Sequence, residues 1–150
     1  MKRVLVVQPS LQPPGGSNGV AAWAVQALAP HHRVTILTWE PTDVAAVNRF
    51  YGTSLRAADF EAIRVPASWT RALDRLPVPA ALLKNALLMR YTRTVSAPFD
   101  VIFGTFNEND YGRRGIQYVH YPTYLRPRPA VDLRWYHASG VLLDLYYNVA

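Results

Sequence analysis

The chain has 150 residues, half of them apolar, and carries 16 Lys and Arg against 10 Asp and Glu. This length and composition allow the buried core of one domain but are short for two. The net charge of +6 favours anionic partners such as nucleotides or acidic lipid surfaces. The basic residues are scattered, so we expect no nucleic-acid partner. Without cysteine, a disulfide framework and a thiolate metal site are both excluded.

The first predicted element is a strand at the start of the chain. Residues 4–7 form a continuous apolar run, which is typical of a strand buried on both faces. A helix follows, with Ser17 or Asn18 as candidate N-cap and Pro30 just beyond its end. Its apolar residues recur at helical spacing and predict one buried face: Val20, Trp23, Ala24, Ala27 and Leu28.

The loop between this strand and this helix contains the pair Gly15-Gly16. Paired glycines before a helix let the backbone approach a ligand, and the free N–H groups at the positive end of the helix dipole suit an anion, most often phosphate. A loop that simply turns into a helix is the plainer interpretation. The dinucleotide fingerprint is only half met, by Gly16 and Gly19, because Pro14 stands where its first glycine belongs.

The next segments predict a βαβ unit. Residues 33–39 are rich in β-branched side chains and predict the second strand, and residues 62–65 predict the third. A short helix begins around residues 41–43 and is closed by Gly52. Glu40 stands about where Rossmann-type dehydrogenases keep an acidic residue for a ribose hydroxyl. A solvated loop carboxylate is the simpler interpretation of Glu40.

Residues 68–96 form a basic and apolar segment. Pro77 and Pro79 separate a short stretch from a helix over residues 80–95. This helix is either a membrane-surface element or a helix packed on the sheet with snorkelling basic ends, and its body suits the second interpretation better. For the short stretch both interpretations stand equally. Its candidate contacts with an anionic membrane are Trp69, Arg71, Leu73, Arg75 and Leu76.

Two further strands are predicted over residues 100–104 and 115–120. In an open parallel sheet, ligands bind outside the carboxyl ends of the strands. The Gly15-Gly16 pair, residues 106–110 and residues 120–122 are therefore expected to converge on one crevice. The fold expected is α/β, a Rossmann-like three-layer α/β/α arrangement with a mainly parallel sheet in the order 3-2-1-4-5.

Among the residues at that edge, His120 is the best suited to bind a ligand or to act in catalysis. A histidine there can donate to a phosphate or a sugar hydroxyl, or act as an acid or base, while a core or capping role is the alternative. The Glu-Asn-Asp sequence of residues 108–110 is similar to the acidic triplet that holds a metal in some sugar transferases, but a loop and helix cap explains it more simply. We expect no metal site.

Five stretches are informative together. They are the first strand, Pro-Gly-Gly-Ser-Asn-Gly, Arg-Val-Thr-Ile-Leu-Thr, Phe-Asp-Val-Ile-Phe, and Tyr-Val-His-Tyr-Pro-Thr. This ensemble resembles the N-terminal half of a family-4 glycosyltransferase of the GT-B fold. Residues 118–123 are similar to a stretch in mannosyltransferases that elongate lipid-linked oligosaccharides, and a predicted aromatic helix over residues 131–150 also fits.

The resemblance implies a role in sugar transfer. In such enzymes the first domain mostly holds the acceptor, the second mostly holds the nucleotide sugar, and no metal is obligatory. It implies that Gly16 and Asn18 approach the donor diphosphate and that His120, the candidate catalytic residue, faces the sugar or its phosphate. The full set of candidate substrate-binding residues is Gly15, Gly16, Asn18, Asn107, Glu108 and Tyr121.

We therefore expect residues 1–150 to be the acceptor-side half of a hexosyltransferase. The expected partners are a nucleotide sugar such as GDP-mannose or UDP-glucose, a lipid-linked or saccharide acceptor, an anionic membrane surface, and the second domain or a partner chain, with no cofactor. Such a half should not transfer sugar alone. The initial apolar run is too short for a signal peptide, so a cytoplasmic or peripheral membrane location is expected. The rivals are a dinucleotide oxidoreductase that uses Glu40 and a membrane-docking or assembly module.

Overall fold

The computed structural model describes residues 1–75, 81–120 and 139–141, without the side chains of residues 81 and 82. Within this part, five strands form one sheet: β1 Arg3–Val7, β2 Arg33–Thr38, β3 Glu61–Arg64, β4 Val101–Gly104 and β5 Ile116–Gln117. Their order is β3-β2-β1-β4-β5, and every neighbouring pair is parallel. The predicted α/β class and strand order are confirmed.

Helices cover both faces of this sheet. They are α1 Gly16–Leu28, α2 Val44–Tyr51, α3 Ala67–Asp74 and α4 Ala81–Val95, with a 3₁₀ turn at Ala57–Asp59. Alternate side chains of β1 serve the two sides, since Val6 packs in the cluster that contains residues of α1 and α2, whereas Leu5 packs with residues of α3 and α4. The central strand is therefore buried on both faces, as its apolar run predicts.

Helix α1 buries a different face from the predicted one. Trp23 is 50% exposed, and Ala27 is also exposed. The buried residues are instead Gly19, Ala21, Ala22 and Val25. Small side chains let the helix axis approach the sheet closely, whereas the indole of Trp23 lies to one side and donates Nε1–H to the carbonyl of Tyr51 at 3.2 Å. The apolar periodicity was a poor guide here because alanine and glycine carry the close packing.

Helix α2 has both of the predicted ends. Asp43 is the N-cap, and its Oδ1 accepts from the amide of Ala46 at 3.1 Å. Gly52 closes the helix with φ 70°, the left-handed conformation that favours glycine. In α1, by contrast, the N-cap is Gly15 rather than Ser17 or Asn18. The side chains of Ser17 and Asn18 are instead bonded to Gln8.

Strand β5 is shorter than predicted. The sequence pattern predicts residues 115–120, but the ladder pairs only Ile116 and Gln117, with Phe103 and Gly104 of β4. One further bond, from the amide of Tyr118 to the carbonyl of Gly104 at 2.8 Å, ends the pairing. Because β4 itself ends at Gly104, the following residues have no strand beside them. They are exposed, so this edge of the described sheet is open to solvent.

The basic segment packs its apolar side chains inward. Leu73 is buried, and the ring of Trp69 lies 5.7 Å from the ring of Tyr91 in α4, centroid to centroid. Leu73 is thus part of the interior and Trp69 is partly buried against it, as in the packed-helix interpretation, while Arg71 and Arg75 stay exposed. In the part of the chain described, no helix has the length and apolar character needed to cross a membrane. Leu76 and most of the helix predicted over 131–150 lie outside the described residues.

Candidate functional site at the carboxyl edge of the sheet

The N-terminus of α1 and the end of the segment after β5 meet at the carboxyl edge of the sheet. A Cβ atom placed on Gly16 would lie 3.5 Å from Cε1 and 4.0 Å from Nδ1 of His120. Both residues are exposed, and the ring of Tyr118 packs edge-on against the imidazole with 5.0 Å between centroids. The structure thus brings together the glycine pair and the histidine that the sequence placed on one crevice.

The first turn of α1 presents free amide donors at this point. The amide of Gly19 makes the first helical bond, to the carbonyl of Gly15 at 3.1 Å. The amides of Gly16, Ser17 and Asn18 therefore have no acceptor within the helix, and the N-cap glycine has no side chain to supply one. These donors and the positive end of the helix dipole favour an anion beside His120.

The hydroxyl of Tyr51 holds the turn from the other side. It donates to the carbonyl of Gly15 at 3.0 Å, and its ring lies where a Cβ on Gly19 would be 2.9 Å away. Burial raises the pKa of Tyr51. The phenol stays protonated at neutral pH and remains a donor. Sequence reasoning missed this residue, which arrives from α2.

A buried polar network lies beneath the glycine pair. Gln8, which directly follows β1, is 1% exposed. Its Nε2 donates to Oδ1 of Asn18 at 2.7 Å and to Oγ of Ser17 at 3.2 Å, and its Oε1 accepts from Oγ1 of Thr105 at 2.9 Å. Asn18 in turn donates through Nδ2 to the carbonyl of Gln12 at 2.5 Å. Ser17 and Asn18 are therefore held from below and do not cap the helix.

The side chain of Asn18, which the resemblance implies as a contact of the donor diphosphate, takes part in this network. Both functional groups of its carboxamide are bonded within the protein, so its side chain also fixes the loop. Sequence reasoning missed Gln8 and Thr105. The available signal was a polar residue immediately after an apolar strand at the carboxyl edge, which occurs at the end of β1 and again at the end of β4.

The loop after β4 is tied to β5 through Asn109. Asn107 and Glu108 lie half-buried in it. The next residue, Asn109, exchanges two hydrogen bonds with the side chain of Gln117. Asp110 accepts from the amide of Gly112 at 2.8 Å and pairs with Arg93 at 2.7 Å, so it forms a turn and not the expected helix cap. Tyr121, the last candidate, is outside the described residues.

Tyr111 anchors this loop in the interior. Its side chain is 2% exposed, and a Cβ placed on Gly104 would lie 1.7 Å from the phenol oxygen. A Cβ on Gly115 would lie 2.7 Å from the ring, so the tyrosine fits only between two glycines. Burial raises the pKa of Tyr111, and the bond donated by Asn109 to its hydroxyl lowers it to a smaller extent.

Glu40 stands at the same edge, at the end of β2. Its Oε2 accepts from the hydroxyl of Ser10 at 3.1 Å, and that hydroxyl oxygen accepts from the amide of Gln12 at 3.0 Å. The carboxylate is exposed. Glu40 thus contacts the loop after β1, which is the neighbourhood that the oxidoreductase alternative requires of it.

A cavity of about 580 Å³ opens at the opposite, amino edge of the sheet. Its charged lining mixes both signs: Arg3, Arg33, Arg56, Asp59 and Glu61. Arg56 pairs with Asp59 at 2.8 Å. Size alone would favour this cavity. We assign the candidate site to the carboxyl edge, because the polar groups there are buried, mutually bonded and grouped around free amides.

Neither comparison with known proteins nor a search for metal-binding clusters assigns a function to this site. No protein-family model matches the chain, and neither the curated proteins nor the solved structures contain a match. In the parts of the chain described, no three His, Asp or Glu side chains lie close enough to share a metal ion. The resemblance to glycosyltransferases accordingly depends on the sequence motifs alone.

Proposed function

We propose that the carboxyl edge binds a phosphate-bearing ligand, the diphosphate of a nucleotide sugar, and that the chain is the acceptor-side half of a glycosyltransferase. The observation that carries this proposal is the ring of His120 beside Gly16, where α1 begins with free amides. The glycine leaves room for an anion to approach the backbone, and the imidazole adds a side-chain donor.

Sugar transfer needs such donors. Negative charge develops on the leaving diphosphate as the bond to the sugar breaks, and donors fixed in advance lower the barrier by stabilising that charge. Under this proposal the amides of α1 and His120 supply the fixed donors, and a second domain or partner chain supplies the contacts to the sugar and the base. The proposed acceptor is a lipid-linked or saccharide molecule, and the proposed reaction uses neither a cofactor nor a metal.

The test is calorimetric titration with pyrophosphate, GDP-mannose and UDP-glucose. We expect wild type to bind pyrophosphate, and His120→Ala to weaken that binding by about tenfold, the value of one hydrogen bond to a charged group. Gly16→Val should weaken it further, because a branched side chain would fill the space in front of the amides. His31→Ala is the matched control, since His31 is also exposed but lies beyond the far end of α1.

Two results would contradict this proposal. One is a wild-type chain that binds none of the three ligands, and the other is equal binding by the His120 and His31 variants. Because His120 is exposed, His120→Ala should cost less than about 1 kcal/mol of stability. A large loss of stability with unchanged affinity would instead assign His120 a structural role.

The rivals predict different ligands. The oxidoreductase alternative, supported by the contact between Glu40 and Ser10, predicts that NAD binds and that nucleotide sugars do not. The docking alternative predicts binding to anionic liposomes, through exposed Arg71 and Arg75, with no effect of nucleotides. Under our proposal the isolated chain transfers no sugar, and turnover by this chain alone would show that no second half is needed.

A further inference from the structure

We infer that Gln8 is a positioning residue, whose buried carboxamide sets where the amide donors of α1 stand relative to His120. Two of the three free amides of the first turn belong to Ser17 and Asn18, and Gln8 holds the side chains of both. The ligand in this inference is the one in the proposed function. The geometry is independent of that ligand and can be tested without it.

The orientation of every group in the network follows from one backbone carbonyl. The carbonyl of Gln12 can only accept, so the group of Asn18 that faces it must be the amide Nδ2. Oδ1 of Asn18 then faces Gln8 and requires a donor, which fixes Nε2 of Gln8 on that side. Oε1 of Gln8 is left to face Thr105, whose hydroxyl donates to it. Only a carboxamide at position 8 fits this order.

The network also links parts of the chain that are otherwise separate. Gln8 continues β1, and its amide bonds the carbonyl of Leu37 at the end of β2 at 3.1 Å. Thr105 follows β4, is fully buried, and bonds the carbonyl of Val7 through its amide at 3.2 Å. The rigid ends of three central strands therefore reach the first turn of α1 through the carboxamide of Gln8.

Loss of this carboxamide should move the turn as well as destabilise it. With leucine at position 8, Thr105 would keep a buried hydroxyl without its acceptor, and Oδ1 of Asn18 would keep only the hydroxyl of Ser17, at 3.4 Å, as a side-chain donor. The response that costs least is a movement of Ser17 and Asn18 toward water, which would shift their backbone amides relative to Gly16 and His120. Glutamate at position 8 would retain the shape but could not donate to Asn18, and it would place a negative charge beneath the anion site.

The experiment compares Gln8→Leu and Gln8→Glu with a matched control, Thr92→Val. Thr92 is equally buried but lies in α4, where its hydroxyl donates to the carbonyl of Leu88 at 2.8 Å. Thermal unfolding, pyrophosphate affinity and the amide NMR resonances of residues 15–19 are measured on each variant. All three variants are expected to melt below wild type, so stability alone does not separate positioning from packing.

Two measurements separate a positioning role of Gln8 from a packing role: the affinity for pyrophosphate and the amide NMR resonances of the ligand-free protein. Gln8→Leu should weaken pyrophosphate binding by about tenfold and shift the amides of Ser17 and Asn18, and Gln8→Glu should weaken it at least as much. Thr92→Val should change neither readout. If Gln8→Leu fails to fold, Thr105→Val takes its place in both measurements. This variant removes the hydroxyl that donates to Oε1 of Gln8 at nearly constant side-chain volume.

The inference is overturned if the position-8 variants retain wild-type amide resonances for residues 15–19. It is also overturned if they bind pyrophosphate as wild type does while melting lower. If wild type itself does not bind pyrophosphate, the proposed function fails. In that event the resonances of the ligand-free variants still decide whether Gln8 positions the turn.

Discussion

The two edges of this sheet hold their polar groups in opposite ways. At the carboxyl edge, Gln8 and Thr105 are buried and bonded to each other, and further bonds from Gln8 reach the start of α1. At the amino edge, Arg56 and Asp59 pair across three residues at the surface beside a cavity of about 580 Å³. Polar groups that are buried and mutually satisfied are costly to replace, whereas an exposed pair is not. Fixed polar geometry therefore identifies the candidate site better than volume does.

The largest expected effect is on the carboxyl edge, from Gly104→Ala. The new Cβ would lie 1.7 Å from the hydroxyl oxygen of Tyr111, so the tyrosine must leave its buried place. We expect a loss of about 3 kcal/mol, at the upper end of overpacking effects, measured by urea unfolding. Gly16→Ala is the control, because its nearest neighbour would be 3.5 Å away. Equal stability of the two variants would show that Tyr111 can move at little cost.

A smaller effect is expected from Tyr111→Phe. At neutral pH the variant loses the bond from Asn109, worth about 1 kcal/mol. Burial raises the pKa of Tyr111 above its ordinary value of 10.0. The stability contributed by the neutral phenol is therefore complete below pH 10 and is lost as the pH rises toward the folded-state pKa.

The pH dependence provides the sharper test of Tyr111. Wild type should lose stability more steeply than Tyr111→Phe between neutral pH and pH 11, as followed by thermal unfolding. Tyr51→Phe is a useful comparison, since the pKa of Tyr51 is also raised but its side chain is half-exposed. Parallel pH profiles for wild type and Tyr111→Phe would mean that the phenol is not buried in solution.

The smallest effect is expected at the amino edge, from Arg56→Ala. The guanidinium lies at the surface, and its pairing with Asp59 raises the pKa of Arg56 and lowers that of Asp59. A pair in which the guanidinium is so exposed adds little to folding. We expect an unchanged melting temperature and unchanged pyrophosphate affinity, at both low and high salt. A loss of affinity in this variant would shift the site to the amino edge.

The strands of the sheet could be predicted from the sequence because each is marked by a pattern within its own few residues. Apolar runs marked the strands, and their order followed from general rules of parallel α/β sheets. The buried face of α1 could not be predicted, because Trp23 has a larger apolar surface than the residues that pack, which are small. The predicted length of β5 was wrong. The actual length depends on where the neighbouring strand β4 ends, and the residues of β5 carry no information about that.

The site was predicted in part, for the same reason. Gly16 and His120 belong to segments that follow parallel strands, so topology alone placed them at one edge. The network could not be foreseen, since Gln8 and Thr105 are 97 residues apart and only the registered strands bring them together. The resemblance implies that Asn18 is a contact of the donor diphosphate, and the residue pattern alone made it a candidate N-cap. Its actual partners are side-chain and backbone groups that sequence spacing does not reveal.

The central claim is that the anion site lies at the carboxyl edge, and NMR titration with pyrophosphate tests it most directly. We predict that the NMR resonances of the amides of residues 15–19 and of the imidazole of His120 shift together and saturate at one pyrophosphate concentration. Arg33 and Glu61, which line the cavity at the amino edge, should not shift. Saturable shifts at the amino edge, or no shifts at residues 15–19, would contradict an anion site at the carboxyl edge.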